Sequence, residues 1–318
     1  MTEITQEEEI ASLKKELSKL RLETNLRKSL AMQLEKQKQI ADEAKAVALS
    51  QSQQLEAVSE QLAKYLSPQI YDQIFSGKQS VEVKSSRKKL TVFFSDIVSF
   101  TNISDELESE ELTALLNFYL NEMSQIALKY GGTIDKYIGD AIMIFFGDPE
   151  SLGHEEDARK CVSMAVEMQK RLNELEGYWG PHFGLKEDLK IRIGINTGYC
   201  TVGNFGSNDR LDYTVVGGAV NLASRLENAA ESGTVLVSQE TYLMLQDYFA
   251  FKEQKEIDVK GLGRKVTCHE IDLSDTNKST ARNFSGTGYE LKINSSLLAE
   301  KNIQELKEII SNLNVLSE

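Results

Sequence analysis

The sequence is short of cysteine, of positive charge and of long apolar runs, and each shortage excludes something. Its three cysteines, Cys161, Cys200 and Cys268, are odd in number, far apart and unrelated by any C-x-x-C spacing. They read as reduced thiols of a cytoplasmic protein, which sets aside a disulfide framework and a thiolate metal site. No uninterrupted apolar run is long enough to span a bilayer, and the opening MTEITQEEEI is acidic with no apolar core. Membrane insertion and a secretory signal are therefore not expected, and the N-x-S matches at Asn102, Asn283 and Asn294 count as chance. Lys and Arg number 36 against 49 Asp and Glu, a net charge of -13 over 318 residues. That balance repels nucleic acid and anionic lipid alike.

Residues 10–66 contain neither Gly nor Pro and read as one long helix. Every seventh residue from Leu13 gives Leu20, Arg27, Leu34, Ala41, Ala48, Leu55 and Leu62, one seam of a heptad pattern. The companion positions are Ile10, Leu17, Thr24, Ala31, Lys38, Lys45, Ser52, Ser59 and Leu66, so the seam is apolar at both ends and polar in the middle. A parallel two-stranded coiled coil over residues 1–66 is expected, with a solvated single helix as the plainer alternative. A marginal middle is also where such a coil can shift register. The pattern breaks at Ser67-Pro68 and again at Gly77, which predicts a short joint over residues 67–85.

From about residue 86 the pattern alternates. A strand (KKLTVFFSDI), a helix over about 104–130, two strands split by Gly139-Asp140, a helix over about 155–175 and a strand (LKIRIGINTG) follow in turn. That order, β-α-β-β-α-β, predicts an α+β fold with a ferredoxin-like core. Further α/β pieces (DYTVV, AVNLASRLENA, TVLVS, QETYLMLQ, CHEIDL) carry the domain to about residue 273. The stretch SDTNKSTARNFSGTG is polar and loop-like, and a helix over about 296–313 completes a 274–318 segment of polar linker and amphipathic helix.

Topology makes two carboxylates converge. A right-handed crossover after the strand ending in Asp96 makes the next strand run the same way, so Gly139-Asp140 lies at the same sheet edge. Asp140 alone is an ordinary turn residue, and Asp96 alone an ordinary helix cap. Together they form a like-charged pair of hard oxygen donors, suited to Mg²⁺ or Mn²⁺. In DYTVVGGAVNLASRLENA, Gly217-Gly218 ends a strand and opens a helix on which Asn221 and Arg225 lie four residues apart, on one face. An amide beside a forked guanidinium suits a sugar and a phosphate; the bland alternative is a solvent-exposed first turn.

The segments FFSDIVSFT, DKYIGDAIMIFFG, IRIGINTGYCTVGNFGS and DYTVVGGAVNLASRLE, in this order within residues 86–273, resemble the class III nucleotidyl cyclase catalytic domain. The resemblance implies that Asp96, Asp140 and the carbonyl of Ile97 hold two divalent cations. It implies that Lys136 and Thr214 select the base, Asn221 orients the ribose, Arg225 stabilises charge at the α-phosphate, and Lys260 in VKGLG binds the terminal phosphates. The Lys–Thr pair is similar to adenylyl cyclases that include bicarbonate-responsive members, whereas guanylyl cyclases would show Glu and Cys. Gly218 departs from the Asp of many bacterial relatives, which bears on helix capping and on no assigned catalytic role.

The implied reaction is ATP to 3′,5′-cyclic AMP and pyrophosphate. It needs positioning and charge neutralisation and no side-chain nucleophile. His154, His182 and His269 accordingly lie outside every motif. Sites of the family are shared in a homodimer, with the aspartates of one protomer facing Lys136, Thr214, Asn221, Arg225 and Lys260 of the other, and a parallel coil suits that arrangement. The coil offers an upstream sensor domain or protein a place to act, and the subclass resemblance suggests bicarbonate as a regulator. The competing classes are a guanylyl cyclase, a catalytically silent cyclase-like dimerisation or sensory module, and a ferredoxin-like RNA binder. The last fails on charge and on missing strand aromatics.

Overall fold

Good helix formers fill residues 6–63, and the backbone follows them. In the computed structural model, which describes residues 6–75, 77, 84–207, 209–258, 265–274, 281–286, 289–294 and 307, the chain divides into two units, Met1–Leu66 and Ser67–Glu318. The first unit is helix α1, Gln6–Ala63, whose 58 residues reach roughly 87 Å at 1.5 Å per residue. Its seam residues Leu13, Leu20, Leu34, Leu55 and Leu62 are all exposed. The expected long helix is therefore present. Among the described residues no helix is long and apolar enough to cross a membrane.

The second unit opens with α2, Pro68–Phe75, which follows the predicted break and is tied down by buried Ile70 and by Gln69 Nε2 donating to the Gly132 carbonyl at 3.1 Å. Then come β1 (Ser85–Ile97), α3 (Phe100–Glu106), α4 (Ser109–Tyr130), β2 (Thr133–Ile138), β3 (Ala141–Phe146), α5 (His154–Glu174), α6 (Trp179–Phe183) and β4 (Ile191–Gly206). After them follow β5 (Leu211–Val216), α7 (Gly218–Ala229), β6 (Val235–Ser238), α8 (Gln239–Leu245), β7 (Phe251–Asp258) and β8 (Lys265–Ile271). The sheet order is β2-β3-β1-β4-β6-β8-β7, with β5 also paired to β4. Its first four strands have the ferredoxin arrangement. β3 is antiparallel to both β1 and β2, so β1 and β2 run the same way.

Alternation along β1 splits the core in two. Phe93 and Ile97 join Ile142, Ile144 and the α4–α5 residues Leu115, Tyr119, Met123, Cys161, Val162 and Met168 on one face. Leu90, Val92 and Phe94 join Met143, Phe145 and Val202 on the other, against Val220 and Ala223 of α7. Both faces are covered, so β1 reads as a near-continuous apolar run.

Two expectations are corrected and one unanticipated helix is added. The single helix over 104–130 is two helices, because Glu108 is extended (φ -66, ψ 152) and stops α3 before α4 starts. The five-residue α6 was not anticipated; it is held by Trp179 in the core. The stretch expected to be loop contains β9 (Ala281–Gly286), paired in antiparallel register with β10 (Tyr289–Asn294). The helix expected over 296–313 lies outside the described residues except for Lys307, which is helical.

Candidate active site

At the end of β1, thirteen consecutive antiparallel pairs with β4 set Asp96 opposite Arg192. Arg192 donates through Nε (2.9 Å) and Nη2 (2.8 Å) to the two oxygens of Asp96, a bidentate clamp. The β2–β3 turn arrives at the same rim, with Gly139 in the left-handed region (φ 65) that lets Asp140 face inward. The Ile97 N–H donates to Asp140 Oδ2 at 2.9 Å, so the two motifs are joined directly. Burial pushes the Asp140 carboxyl up and the Ile97 N–H holds it down; the negative charge of Asp96 adds to the upward push. The convergence expected from topology is thus found.

A third acid belongs to this cluster. Glu227 of α7 is 5% exposed, and its Oε1 lies 2.7 Å from Arg192 Nε. Burial, then the charge of Asp96, push its carboxyl up to about 7. One guanidinium therefore serves two carboxylates.

Helix α7 sits where backbone meets backbone. A Cβ on Gly194 of β4 would come within 2.1 Å of the Glu227 nitrogen and 2.4 Å of the Ala223 carbonyl oxygen. Asn196 Nδ2 also donates to the Ala219 carbonyl at 2.8 Å, fixing the first turn of the helix. Asn221 is exposed and Arg225 half-buried, and among the described residues no ion pair or side-chain hydrogen bond holds either. They are free to meet a ligand. Lys260 lies outside the described residues.

The second cluster joins Lys136 and Thr214. Thr214 Oγ1 donates to Asp135 Oδ2 at 2.6 Å, and Lys136 Nζ lies 3.6 Å from Asp135 Oδ1. Strands β3, β1 and β4 separate β2 from β5 in the sheet, so β5 must fold over the sheet face to make this contact. Among the described residues no hydrogen bond or ion pair links this cluster to Asp96 and Asp140.

Sequence reasoning missed Arg192, Glu227 and Asp135. Signals for two of them existed. Arg192 begins an apolar strand, and Glu227 falls on the buried face of α7 at spacing 220, 223, 227.

A ferredoxin-order sheet with two aspartates at its rim, an Asn–Arg helix behind a double glycine and a Lys–Thr pair define a nucleotidyl cyclase catalytic domain. The family model described as "Adenylate and Guanylate cyclase catalytic domain" matches residues 82–272, and the chain belongs to that family. Adenylate cyclase 1 of Rhizobium meliloti is 31% identical over 189 residues, 58% of this chain and 28% of that protein. An Anabaena cylindrica adenylate cyclase is 31% identical over 201 residues, 61% of this chain and 39% of that protein, so the chain spans well under half of either relative. Among solved structures, the adenylyl cyclase CyaB from P. aeruginosa is 54% identical with a TM-score of 0.58, covering 60% of this chain and 96% of that one.

Proposed function

We propose that the protein is an adenylyl cyclase of the bicarbonate-responsive type, working as a homodimer that converts ATP to 3′,5′-cyclic AMP and pyrophosphate. The observation that carries this reading is the gathering of Lys136 and Thr214 on the single carboxylate of Asp135. Both residues belong to the adenine-selecting pair, and neither is the Glu or Cys of a guanylyl cyclase.

The residues at the rim fit divalent cations. All donors are hard oxygens, and Asp140 is pushed up partly by the charge of Asp96, a strain that added positive charge would relieve. Asp96, Asp140 and the Ile97 carbonyl would hold two such ions, Mg²⁺ or Mn²⁺, with the triphosphate completing their surroundings. When bound, the ions supply neutralisation of phosphate charge and acidification of the ribose hydroxyl.

The side chains of the chain do the rest. Lys136 and Thr214 seat the base, Asn221 fixes the ribose, and Lys260 anchors the terminal phosphates of the leaving group. The ribose 3′ oxygen attacks the α-phosphorus in line, the bond to the β-phosphate oxygen breaks, and the hydroxyl proton is released. Arg225 meets the charge that builds on the α-phosphoryl oxygens, with the planar fork that Lys lacks.

The test is formation of cyclic AMP by the purified protein with ATP and Mn²⁺, beside an Asp140→Ala control and a GTP arm. Activity is expected to drop at least ~10²-fold in the variant and to vanish on chelation of the metal. No product from either nucleotide would make the protein a silent module, and preference for GTP would make it a guanylyl cyclase. Bicarbonate titration of the same assay tests the subclass.

A further inference from the structure

We propose that Asp135 is a positioning residue that sets the hydrogen-bond polarity of Thr214, so that the base pocket takes a donor at the purine 6-position and refuses an acceptor there. The proposal rests on the adenylyl reading above and concerns what makes that reading selective.

The backbone gives the first argument. In a regular strand Asp135 would point away from the face that Lys136 uses. The pairing of β2 with β3 instead slips between Ile134 and Lys136, which makes Asp135 the extra residue of a β-bulge. Bulges re-aim side chains beside active sites. Here the bulge sends a carboxylate into the protein, where its side chain is 1% exposed.

A carboxylate so placed must be matched by donors, because an unmatched buried charge is strongly unfavourable. Oδ2 accepts the Thr214 hydroxyl at 2.6 Å and has the Val215 N–H at 3.5 Å. Oδ1 has no hydrogen bond among the described residues and faces Lys136 Nζ at 3.6 Å. The two side chains that balance Asp135 are therefore the two that the family resemblance assigns to the base. Burial raises the Asp135 carboxyl, while the Thr214 hydrogen bond and the Lys136 charge hold it down.

Polarity follows from counting protons. A hydroxyl has one proton and two lone pairs, and alone it rotates to suit either kind of partner. An ionised carboxylate only accepts. The single proton of Thr214 is thus committed to Asp135, and only lone pairs are left for a ligand. Adenine carries an amino donor at position 6, which those lone pairs accept; guanine and hypoxanthine carry a carbonyl there, which meets acceptor with acceptor. Threonine at this position does not choose by itself. Asp135 makes it choose.

The experiment compares kcat/KM for ATP and GTP in the full-length protein and in Asp135→Asn, a variant of the same shape. An asparagine can turn its amide N–H toward Thr214, which frees the hydroxyl proton for the ligand. The ATP:GTP ratio is expected to fall at least tenfold, and a ratio taken within one preparation is insensitive to the folded fraction. In a Thr214→Val background the same Asp135→Asn change is expected to leave the ratio alone. Equal losses on both nucleotides, or a shift that persists without the Thr214 hydroxyl, would overturn the proposal.

The unaltered protein supplies an arm that needs no variant. Purine riboside triphosphate, with no 6-substituent, is expected to be used at least tenfold better than inosine triphosphate; equal use overturns the proposal as well. If the unaltered protein prefers GTP or turns over neither nucleotide, the adenylyl reading fails and takes this inference with it. If it prefers ATP and Asp135→Asn keeps that preference, only the inference fails.

Discussion

Arg192 is the residue on which the rim balances, since Asp96 takes its Nε–Nη2 edge, Nη1 donates to the Asn228 carbonyl at 3.4 Å and Glu227 lies 2.7 Å from Nε. The consequence shows at Glu227. Its carboxyl titrates near 7 in the fold against an ordinary 4.5. Between those values the folded protein keeps a proton that the unfolded chain has lost, so this group's contribution is full below pH 4.5 and is lost as pH rises through 7. Shared pairing with Arg192 tempers the size to about 1–2 kcal/mol, or roughly 3–6 °C in Tm for a unit of this size. Glu227→Gln, neutral at every pH, is expected to flatten that decline in melting curves taken from pH 5 to pH 8. A variant that declines as steeply as the original would show that Glu227 is ionised throughout. A second residue-scale expectation concerns Arg225: Arg225→Ala should cut kcat about 10³-fold while leaving Tm unchanged, because no described partner depends on it. A matching fall in Tm would mark Arg225 as structural.

At the scale of elements, the close contact of α7 with β4 carries Asn221, Arg225 and Glu227 together. Gly194→Ala would drive a methyl into the helix backbone, where no side chain can give way. Overpacking against main chain is expected to cost about 3 kcal/mol, read as a lower denaturation midpoint, and to reduce activity in the fraction that remains folded. Unchanged stability would mean that α7 moves aside. The same contact marks how far the sequence could be read. The order of the first four strands, the meeting of Asp96 with Asp140 and the placing of Asn221 and Arg225 on one helix face follow from periodicity and handedness, which are local or topological. Arg192 opposite Asp96 depends on inter-strand register, and Asp135 depends on a bulge; a period of two contains neither. The polar edge strand β7, with its Lys and Glu residues, resembles a loop in composition while protecting the sheet edge. Strand β9 was hidden for a similar reason: Ala281 and Phe284 are its only apolar residues among Arg, Asn, Ser and Gly.

At the scale of the whole molecule, helix α1 leaves its apolar seam open, with Ile10, Leu13, Leu17 and Leu20 toward one end and Leu55 and Leu62 toward the other, all more than half exposed. A solitary helix of this length has no core to bury that seam. We propose that a second copy of the chain covers it, forming a parallel coil whose phase is passed through residues 67–85 to the half-sites of the two catalytic domains, with an upstream sensor acting on that phase. Arg27, Lys38 and Lys45 make the middle of the seam weak, so a change in phase there is energetically accessible. One residue inserted near Ser50 rotates everything beyond it by about 100° relative to the seam, whereas seven restore the phase. The single insertion is therefore expected to change the rate of cyclic AMP formation at least fivefold, and the seven-residue insertion to leave it within twofold. Sedimentation of both variants should show dimers, so that loss of phase is separated from loss of pairing. If the two insertions behave alike and both retain full turnover, the coil only tethers the protomers; if the unaltered protein sediments as a monomer at concentrations where it is fully active, the pairing itself is wrong.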